Sequence, residues 1–299
     1  MDLYILIKSG LIVHLKEVNV FKNRNQAVVC IIILGLLTTL VLAGCGPTEE
    51  DIKILDQPSC EDIVFESSDE PVGAVLCLPA GPQVDLPAVV YLYGAGAFEP
   101  PPPEILPDVE AAMPYTIHSE LAEHGFAALS ILYFSRTPSP PEAFPPNTFI
   151  GVSAEAFIEA KPTWIETIED GFSYMQSRPE VDPDRIGLVG YSLGGSLALD
   201  LDQDQNNHAA LISISGYTYM NNENLAGGDS PTLILQAEED EWIPMSDALL
   251  IKDTLETHGI EHELVVIQGA DHRWIDQPGA DGFDAIVEFL ESHLRPSEP

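Results

Sequence analysis

The most constraining feature of the sequence is "DRIGLVGYSLGGSLALDL", in which an apolar run breaks at a glycine-flanked serine and a helical pattern follows. The pattern Gly-x-Ser-x-Gly occurs by chance in roughly one chain of this length in ten. Its setting makes it informative, because "IGLV" predicts a strand and "LGGSLALDL" predicts a helix. A sharp strand-to-helix turn of this kind can expose a serine hydroxyl, so Ser192 is a candidate nucleophile.

The residues around Ser192 fit that interpretation. Side chains two positions to either side would collide with the turn or with the crossing helix, which explains Gly190 and Gly194. The turn also places Ser192 at a helix N-terminus, where a developing oxyanion is favoured. We predict the Leu193 N–H as one oxyanion donor. We place the second donor at Ala95, in the glycine-rich "YLYGAGAF", where a plain glycine turn is the alternative.

A serine nucleophile needs a base, and the base needs an orienting acid. Asp240 follows the apolar run in "PTLILQAEED", and His272 follows the run in "HELVVIQGADH". Alone, an aspartate at the end of a strand is more often a turn residue. Together with the serine turn, and in the order nucleophile, acid, base, these two residues predict a catalytic triad. The rival acids are Glu238, Glu239 and Asp271.

The whole chain alternates apolar strand patterns with helical patterns. Near-continuous apolar strands separated by helices predict an α/β fold with a mostly parallel sheet of about eight strands, covered by helices on both faces. No shift in composition divides the region, so we predict one domain over residues 58–296. Residues 45–57 are predicted to be a polar tether.

A hairpin is predicted at the start of this domain. The strand-like runs "DIVF" and "VGAVLCL" are joined by "ESSDEP", and centring the turn there sets Cys60 across from Cys77. A disulfide between them is geometrically reasonable. Two free buried thiols are the alternative.

The N-terminal region carries the pattern of an export signal. Lys22 and Arg24 precede the apolar residues 27–43, and small residues lead into a cysteine in "LAGC". This ending resembles the lipobox of bacterial lipoproteins, which implies that Cys45 becomes the lipidated first residue of a protein anchored in the cell envelope. We therefore predict a signal peptide over residues 1–44, with a true start that can lie downstream of Met1. An uncleaved membrane helix is the alternative.

Charge excludes one class of partner. The formal net charge is −36, from 12 Lys and Arg against 48 Asp and Glu. A field of this sign repels phosphates, so nucleic acid is not an expected partner.

The three segments "GLVGYSLGG", "PTLILQAEEDEWIP" and "IQGADHRW" resemble the α/β-hydrolase superfamily, and most closely the dienelactone hydrolase-related proteins. The similarity covers roughly Ile63 to Leu294. Dienelactone hydrolases proper use cysteine at the nucleophile position, so Ser192 is a departure that favours general serine esterase chemistry. Tyr93 also departs, since histidine is common there. The resemblance implies an α/β-hydrolase fold and a hydrolase without metal or organic cofactor, and it does not itself name a substrate. The expected partner is a small-molecule acyl substrate.

The substrate is less constrained. Proline-rich segments follow two predicted strands, and we expect a semi-rigid pocket rim there with Phe98, Phe134, Trp242 or Trp274 nearby. Ordinary surface loops are the alternative. Arg136 lies in the same region, where it is either a surface residue or a ligand for a substrate carboxylate.

The preferred hypothesis is therefore an exported serine hydrolase that cleaves a carboxylic ester or thioester. Two alternatives stay open. One is a peptidase of the prolyl-oligopeptidase type, which shares the order of the triad. The other is a catalytically inactive hydrolase fold that serves as a binding lipoprotein.

Overall fold

The computed structural model describes residues 3–6, 12–15, 52–94, 117–136, 154–204, 208–218, 228–277 and 279–295. The chain forms two units, Met1–Ile52 and Lys53–Pro299. In the first unit, strands β1 (Leu3–Leu6) and β2 (Ile12–Leu15) pair antiparallel. Both strands fall within the predicted signal peptide. Cys45 lies outside the described residues.

The second unit contains a small and a large sheet. In the small sheet, β3 (Ile54–Leu55), which falls in the predicted tether, pairs antiparallel with β6 (Gly81–Pro82). The large sheet consists of β4 (Ser59–Ser67), β5 (Glu70–Leu78), β7 (Leu86–Leu92), β8 (Ala127–Ile131), β9 (Val181–Tyr191), β10 (Ala210–Ile214), β11 (Thr232–Ala237) and β12 (His262–Ile267). Its order is β12-β11-β10-β9-β7-β8-β5-β4. Every neighbouring pair is parallel except the two that β5 makes.

The inner strands owe their sequences to burial on both faces. All residues of β7, β8, β10 and β11 are buried, whereas the edge strands β4 and β12 are partly exposed. A parallel sheet covered by helices needs such unbroken apolar runs, because neither side of the strand meets water.

Helices cover both faces of this sheet, as the sequence predicts. The described helices are α1 (Ile117–Glu123), α2 (Ala154–Gln176), α3 (Leu193–Asp204), α4 (Met245–His258) and α5 (Phe283–Leu294). A Cβ on Gly187 of β9 would lie 3.2 Å from side-chain atoms of Leu290 and Leu294 in α5, and a Cβ on Gly190 would lie 2.2 Å from the Gly194 carbonyl oxygen in α3. Because odd and even residues of a strand point to opposite faces, α3 and α5 lie on opposite sides.

The helix α2 begins at Ala154 and continues through Pro162 to Gln176. Among the helices that the structure describes, none combines the length and the apolar character that crossing a membrane requires.

The N-terminal hairpin of the sheet is cross-linked. Cys60 of β4 lies directly opposite Cys77 of β5 in the antiparallel register, with their Cα atoms 4.0 Å apart. Their sulfur atoms are bonded at 1.96 Å. The disulfide therefore ties the edge strand β4 to the sheet.

Candidate active site

The serine turn is built as a strained corner at the carboxyl end of β9. Ser192 follows the strand directly and has φ of 53°, a left-handed conformation that non-glycine residues seldom adopt. Its N–H donates to the Ile214 carbonyl at 2.7 Å, and its own carbonyl accepts from the N–H of Ser196 at 3.1 Å. These bonds hold the strain that lifts the Ser192 side chain out of the sheet.

The two glycines of the motif are sterically required. A Cβ on Gly190 would lie 2.2 Å from the Gly194 carbonyl oxygen, and a Cβ on Gly194 would lie 2.2 Å from the Leu92 carbonyl oxygen. Both distances are far below van der Waals contact, and both involve backbone atoms that cannot rotate away. The start of α3 is thereby pressed against the ends of β9 and β7.

Ser192, His272 and Asp240 form a continuous hydrogen-bonded chain. The His272 Nε2 and the Ser192 Oγ are 3.0 Å apart, and the His272 Nδ1 and the Asp240 Oδ2 are 2.8 Å apart. An ionised carboxylate can only accept, so Nδ1 carries the proton and Nε2 is left to accept from the serine hydroxyl. This tautomer is the one that a general base for Ser192 requires.

Asp240 is held as a buried anion. Burial raises the pKa of its carboxyl, but the hydrogen bond from His272 and those from the Ile243 and Trp242 N–H groups outweigh burial, so that the net pKa lies below the usual value. The two N–H groups donate to Oδ1 at 2.8 and 2.9 Å. The side chain of Asp240 is only 1% exposed. The carboxylate therefore stays charged and fixed beside the imidazole.

Gln236 supports this carboxylate from within β11. Its Nε2 donates to the Asp240 Oδ2 at 3.2 Å and to the Ile243 carbonyl at 2.9 Å, and the residue is fully buried. One amide group thus bridges the two ends of the loop that carries Asp240. The sequence analysis missed Gln236, although a polar residue at the end of the apolar run "TLIL" indicates a buried side chain that needs a partner.

Two aromatic rings flank the imidazole of His272. The Tyr191 ring centroid lies 5.2 Å from the imidazole centroid, with an interplanar angle of 33°. The Trp242 ring centroid lies 4.9 Å from it, with an interplanar angle of 36°. The Tyr191 hydroxyl also donates to the His272 carbonyl at 2.9 Å. Trp242 is 45% exposed, so it forms part of the surface beside the triad as predicted. No feature of the sequence points to the role of Tyr191.

The start of α3 and the end of β7 lie on the oxyanion side of the serine. The Leu193 N–H belongs to the first turn of α3, where N–H groups have no helical partner and are free to bind a ligand. The loop after β7 comes close to the serine, since a Cβ on Gly94 would lie 3.0 Å from the Ser192 Cβ. Ala95, the second predicted donor, lies outside the described residues.

An aromatic cluster anchors the loop after β7. The rings of Tyr93 and Tyr133 stack with centroids 4.9 Å apart, and the Tyr133 hydroxyl donates to the Tyr93 carbonyl at 2.6 Å. Phe134 packs edge-on against Trp164 at 4.8 Å. Tyr93, which is 2% exposed, therefore contributes to the core beneath this loop.

The remaining rim residues do not all lie where we predict them. Phe134 is partly buried in the aromatic cluster. Trp274 is 9% exposed and packs into the core, where a Cβ on Gly282 would lie 3.7 Å from its ring, so its assignment to the rim is wrong. Phe98 lies outside the described residues.

Arg136 is neither a surface residue nor available to a substrate carboxylate. Its side chain is 8% exposed, and its Nη1 lies 2.8 Å from the Glu166 carboxylate and 2.8 Å from the Ser67 hydroxyl. The hydroxyl of Ser68 and then Arg136 lower the pKa of Glu166 by hydrogen bonding to it. These contacts join the end of β4 to α2.

The rival acids lie elsewhere. The Glu238 carboxylate accepts from the Gly269 N–H at 2.9 Å, and the Asp271 carboxylate accepts from the Arg273 N–H at 2.9 Å. Glu239 is exposed. Within the described ranges, no group of three or more His, Cys, Asp or Glu side chains is placed to hold a metal ion.

An eight-stranded, mostly parallel sheet with its serine, histidine and aspartate at the carboxyl edge defines an α/β-hydrolase fold. Comparison with known proteins narrows the class. Residues 105–286 match the dienelactone hydrolase family, and the chain belongs to this family.

Individual relatives are distant. The chain is 28% identical to the peroxisomal succinyl-coenzyme A thioesterase of Mus musculus over 154 residues, which are 52% of this chain and 29% of that protein. It is 28% identical to the carboxymethylenebutenolidase homolog of Homo sapiens over 112 residues, or 37% of this chain and 45% of that protein. The match therefore spans less than half the length of either curated relative.

A similar fold is seen in the crystal structure of P91, a dienelactone hydrolase-like promiscuous phosphotriesterase from metagenomic libraries. The TM-score is 0.60 at 14% sequence identity, and the match covers 79% of this chain and 99% of P91.

Proposed function

We propose that this protein is a serine hydrolase that cleaves a carboxylic ester or thioester through Ser192, His272 and Asp240. The observation that carries the proposal is the hydrogen-bonded chain from Asp240 through His272 to Ser192, with distances of 2.8 and 3.0 Å. Membership of the dienelactone hydrolase family supports hydrolysis as the reaction class. The serine in place of the cysteine of dienelactone hydrolases proper favours esterase chemistry.

The proposed reaction has two stages, acylation of Ser192 and hydrolysis of the acyl-enzyme. His272 Nε2 takes the hydroxyl proton as the Ser192 Oγ attacks the carbonyl carbon, and the Leu193 N–H stabilises the oxyanion that forms. His272 then gives the proton to the departing alcohol or thiol, which leaves an acyl group on Ser192. Water attacks this acyl-enzyme with His272 again as base, and the acid product leaves with Ser192 restored.

Turnover of a neutral ester tests the proposal. Purified protein should hydrolyse 4-nitrophenyl butyrate. Ser192→Ala or His272→Ala should each lower kcat by at least about 10³-fold, because neither residue can take over the role of the other. Asp240→Asn should lower kcat strongly with little change in KM. Unchanged turnover in Ser192→Ala would sink the proposal.

The same assay separates the alternatives. A peptidase would cleave peptide 4-nitroanilides with a kcat/KM comparable to that for esters, whereas we expect ester turnover to dominate. An inactive binding protein would turn over neither substrate.

We also propose that the protein is exported and anchored by lipid at Cys45. The "LAGC" sequence after a basic flank and an apolar run supports this, and so does the Cys60–Cys77 disulfide, which is favoured in oxidising compartments. In a bacterial host, Cys45→Ala should move the protein out of the lipid-anchored membrane fraction and abolish the mass of the lipid. A Cys45→Ala protein that still carries lipid would contradict the anchor.

A further inference from the structure

We infer that the active site selects uncharged or cationic acyl substrates and rejects anionic ones. The inference rests on the proposed function and names the substrate class of the same site. It comes from the placement of the positive charges in the chain. Of the 12 Lys and Arg residues, four precede residue 45, in the segment that we propose is removed on export. The others all lie within the described residues, and they are Lys53, Arg136, Lys161, Arg178, Arg185, Lys252, Arg273 and Arg295.

Four of these cations lie at the edge of the sheet opposite to Ser192. Arg185 lies in β9, seven residues or about 23 Å before the serine. It contacts Asp182 and two backbone carbonyls. Arg178 precedes the same strand and pairs with its neighbour Glu180. Arg295 contacts the carbonyl that precedes β8, and Lys53 lies beside β6.

Two more lie on helices. Lys161 of α2 pairs with Asp200, which lies more than two turns along α3 from the serine turn. Lys252 of α4 pairs with Glu256 one turn further on. Each positive charge is matched by a carboxylate at contact distance, so neither creates a positive region at the triad.

Arg136 lies at the carboxyl edge of the sheet, as Ser192 does, but its side chain contacts the outermost strand, β4. It contacts Ser67 at the end of β4, four strand spacings from β9, which is roughly 19 Å at the usual separation. Its charge is matched by Glu166 at 2.8 Å, and its side chain is 8% exposed. Its guanidinium is therefore engaged by Glu166 and Ser67, at the far end of the sheet from the triad.

Arg273 is the remaining cation and is adjacent to His272 in the sequence. Its Nε lies 2.8 Å from the Asp276 carboxylate, and its N–H bonds Asp271. The loops that carry Asp240 and His272 hold five further carboxylates, which are Glu238, Glu239, Glu241, Asp271 and Asp276. One paired arginine against these acids leaves the surroundings of the triad strongly negative.

A negative field lowers the local concentration of anions at the site and slows their association. The carboxylate or phosphate groups of an anionic ester would also enter without a cationic partner, at the cost of desolvation. The coenzyme A thioester in the name of the mouse relative carries phosphates, so this inference separates the present protein from such a substrate.

Three esters with one leaving group test the inference. They are 4-nitrophenyl hydrogen adipate, its neutral methyl ester, and 4-nitrophenyl 6-trimethylammoniohexanoate. At about 20 mM salt we expect the anion to be hydrolysed with a kcat/KM at least about tenfold below that of the neutral ester, and the cation to equal or exceed the neutral ester. At about 1 M NaCl, where the Debye length falls to about 3 Å, the gap should close to a few-fold.

Charge reversal supplies the matched control. Glu241 is exposed beside Trp242, and Glu288 is exposed on α5. Glu241→Lys should lower the ratio of kcat/KM for the neutral ester to kcat/KM for the anionic ester at least threefold. Glu288→Lys, with the same change in net charge, should keep this ratio within twofold of the wild-type ratio. Equal effects of the two variants would overturn a local origin of the selectivity.

The inference and the proposed function fail differently. Ser192-dependent turnover of the anion at or above the rate of the neutral ester, or a gap that salt does not change, would overturn the inference and leave the hydrolase intact. Absence of Ser192-dependent turnover with all three esters would overturn the proposed function, and the inference with it.

Discussion

Asp240 keeps a charge in surroundings that burial alone would make unfavourable. Three donors compensate for the lost water, namely the His272 imidazole and the N–H groups of Trp242 and Ile243. Gln236 adds a fourth donor at 3.2 Å and fixes the loop through the Ile243 carbonyl. At the scale of single residues, we therefore expect activity to depend on these supporting bonds as well as on Ser192, His272 and Asp240.

Replacing Gln236 tests this support. Gln236→Leu should lower kcat about tenfold, the effect of one hydrogen bond to a charged group, and leave KM within twofold. Gln236→Glu should lower kcat further and shift the acidic limb of its pH profile upward, because a second carboxylate beside Asp240 raises the pKa of the pair. Steady-state kinetics with 4-nitrophenyl butyrate from pH 4 to 9 measures both effects.

Gln83 provides the control for that experiment. It is another buried glutamine, whose Nε2 donates to the carbonyls of Pro79 and Gly81 at the amino edge of the sheet. Gln83→Leu should lower stability without changing kcat. A Gln236→Leu enzyme with wild-type kcat and pH profile would show that Gln236 is merely structural.

At the scale of elements, the site is a contact between the ends of strands and the start of one helix. β9, β7 and α3 meet at Gly190 and Gly194 with no room for a methyl group. The close approach brings the first N–H groups of α3 beneath the serine, so the packing that excludes a methyl group also positions the N–H groups that we propose bind the oxyanion.

Alanine substitutions at two glycines test this contact. Gly190→Ala forces overlap with the Gly194 carbonyl, so we expect at least a hundredfold loss of activity and a loss of about 3 kcal/mol in the free energy of unfolding. Gly259→Ala, at the C-cap of α4, has φ of 71° and open space around it, so it should cost only about 1 kcal/mol and keep full activity. Urea unfolding and ester turnover report the two effects. Equal losses in the two variants would contradict the steric account.

At the scale of the whole molecule, a buried acid couples stability to pH. Asp202 of α3 is 6% exposed and accepts a hydrogen bond from the Ser230 hydroxyl. Burial, opposed by bonds from Ser230 and assisted by the charge of Asp229, raises the pKa of Asp202 to about 6. The folded protein therefore binds more protons than the unfolded chain between about pH 4 and 6. The free energy of unfolding falls over this range, and the contribution of protonated Asp202 is lost as the pH rises through 6.

Asp202→Asn should remove that dependence. Relative to the variant, the wild type should lose on the order of 2 kcal/mol of unfolding free energy between pH 4.5 and pH 7, as followed by urea unfolding. His118 and His208, whose pKa values burial lowers to about 4, have the opposite dependence but occur in both proteins. Glu288→Gln, at an exposed acid, is the control and should follow the wild type. Parallel pH profiles for Asp202→Asn and wild type would contradict the role of Asp202.

The sequence was sufficient for the fold and for the residues that meet at its edge. Ser192, Asp240 and His272 each follow an apolar run, and strands of a parallel sheet end at the same edge, so order along the chain was enough to bring them together. Tyr191 and Trp274 show the limit. Whether an aromatic side chain near a strand end lies in the core, beside the histidine or at a rim depends on register and on the path of loops, which local patterns do not encode.

The central claim is that Ser192 is a nucleophile activated by His272 and Asp240. The most direct measurement is to react the folded protein with a fluorophosphonate and to locate the adduct by mass spectrometry of its peptides. We predict a single adduct on Ser192, complete within minutes for the wild type and slowed at least a hundredfold in His272→Ala, because the probe reacts only with an activated hydroxyl. No adduct, an adduct on another residue, or equal labelling of Ser192→Ala would contradict the account.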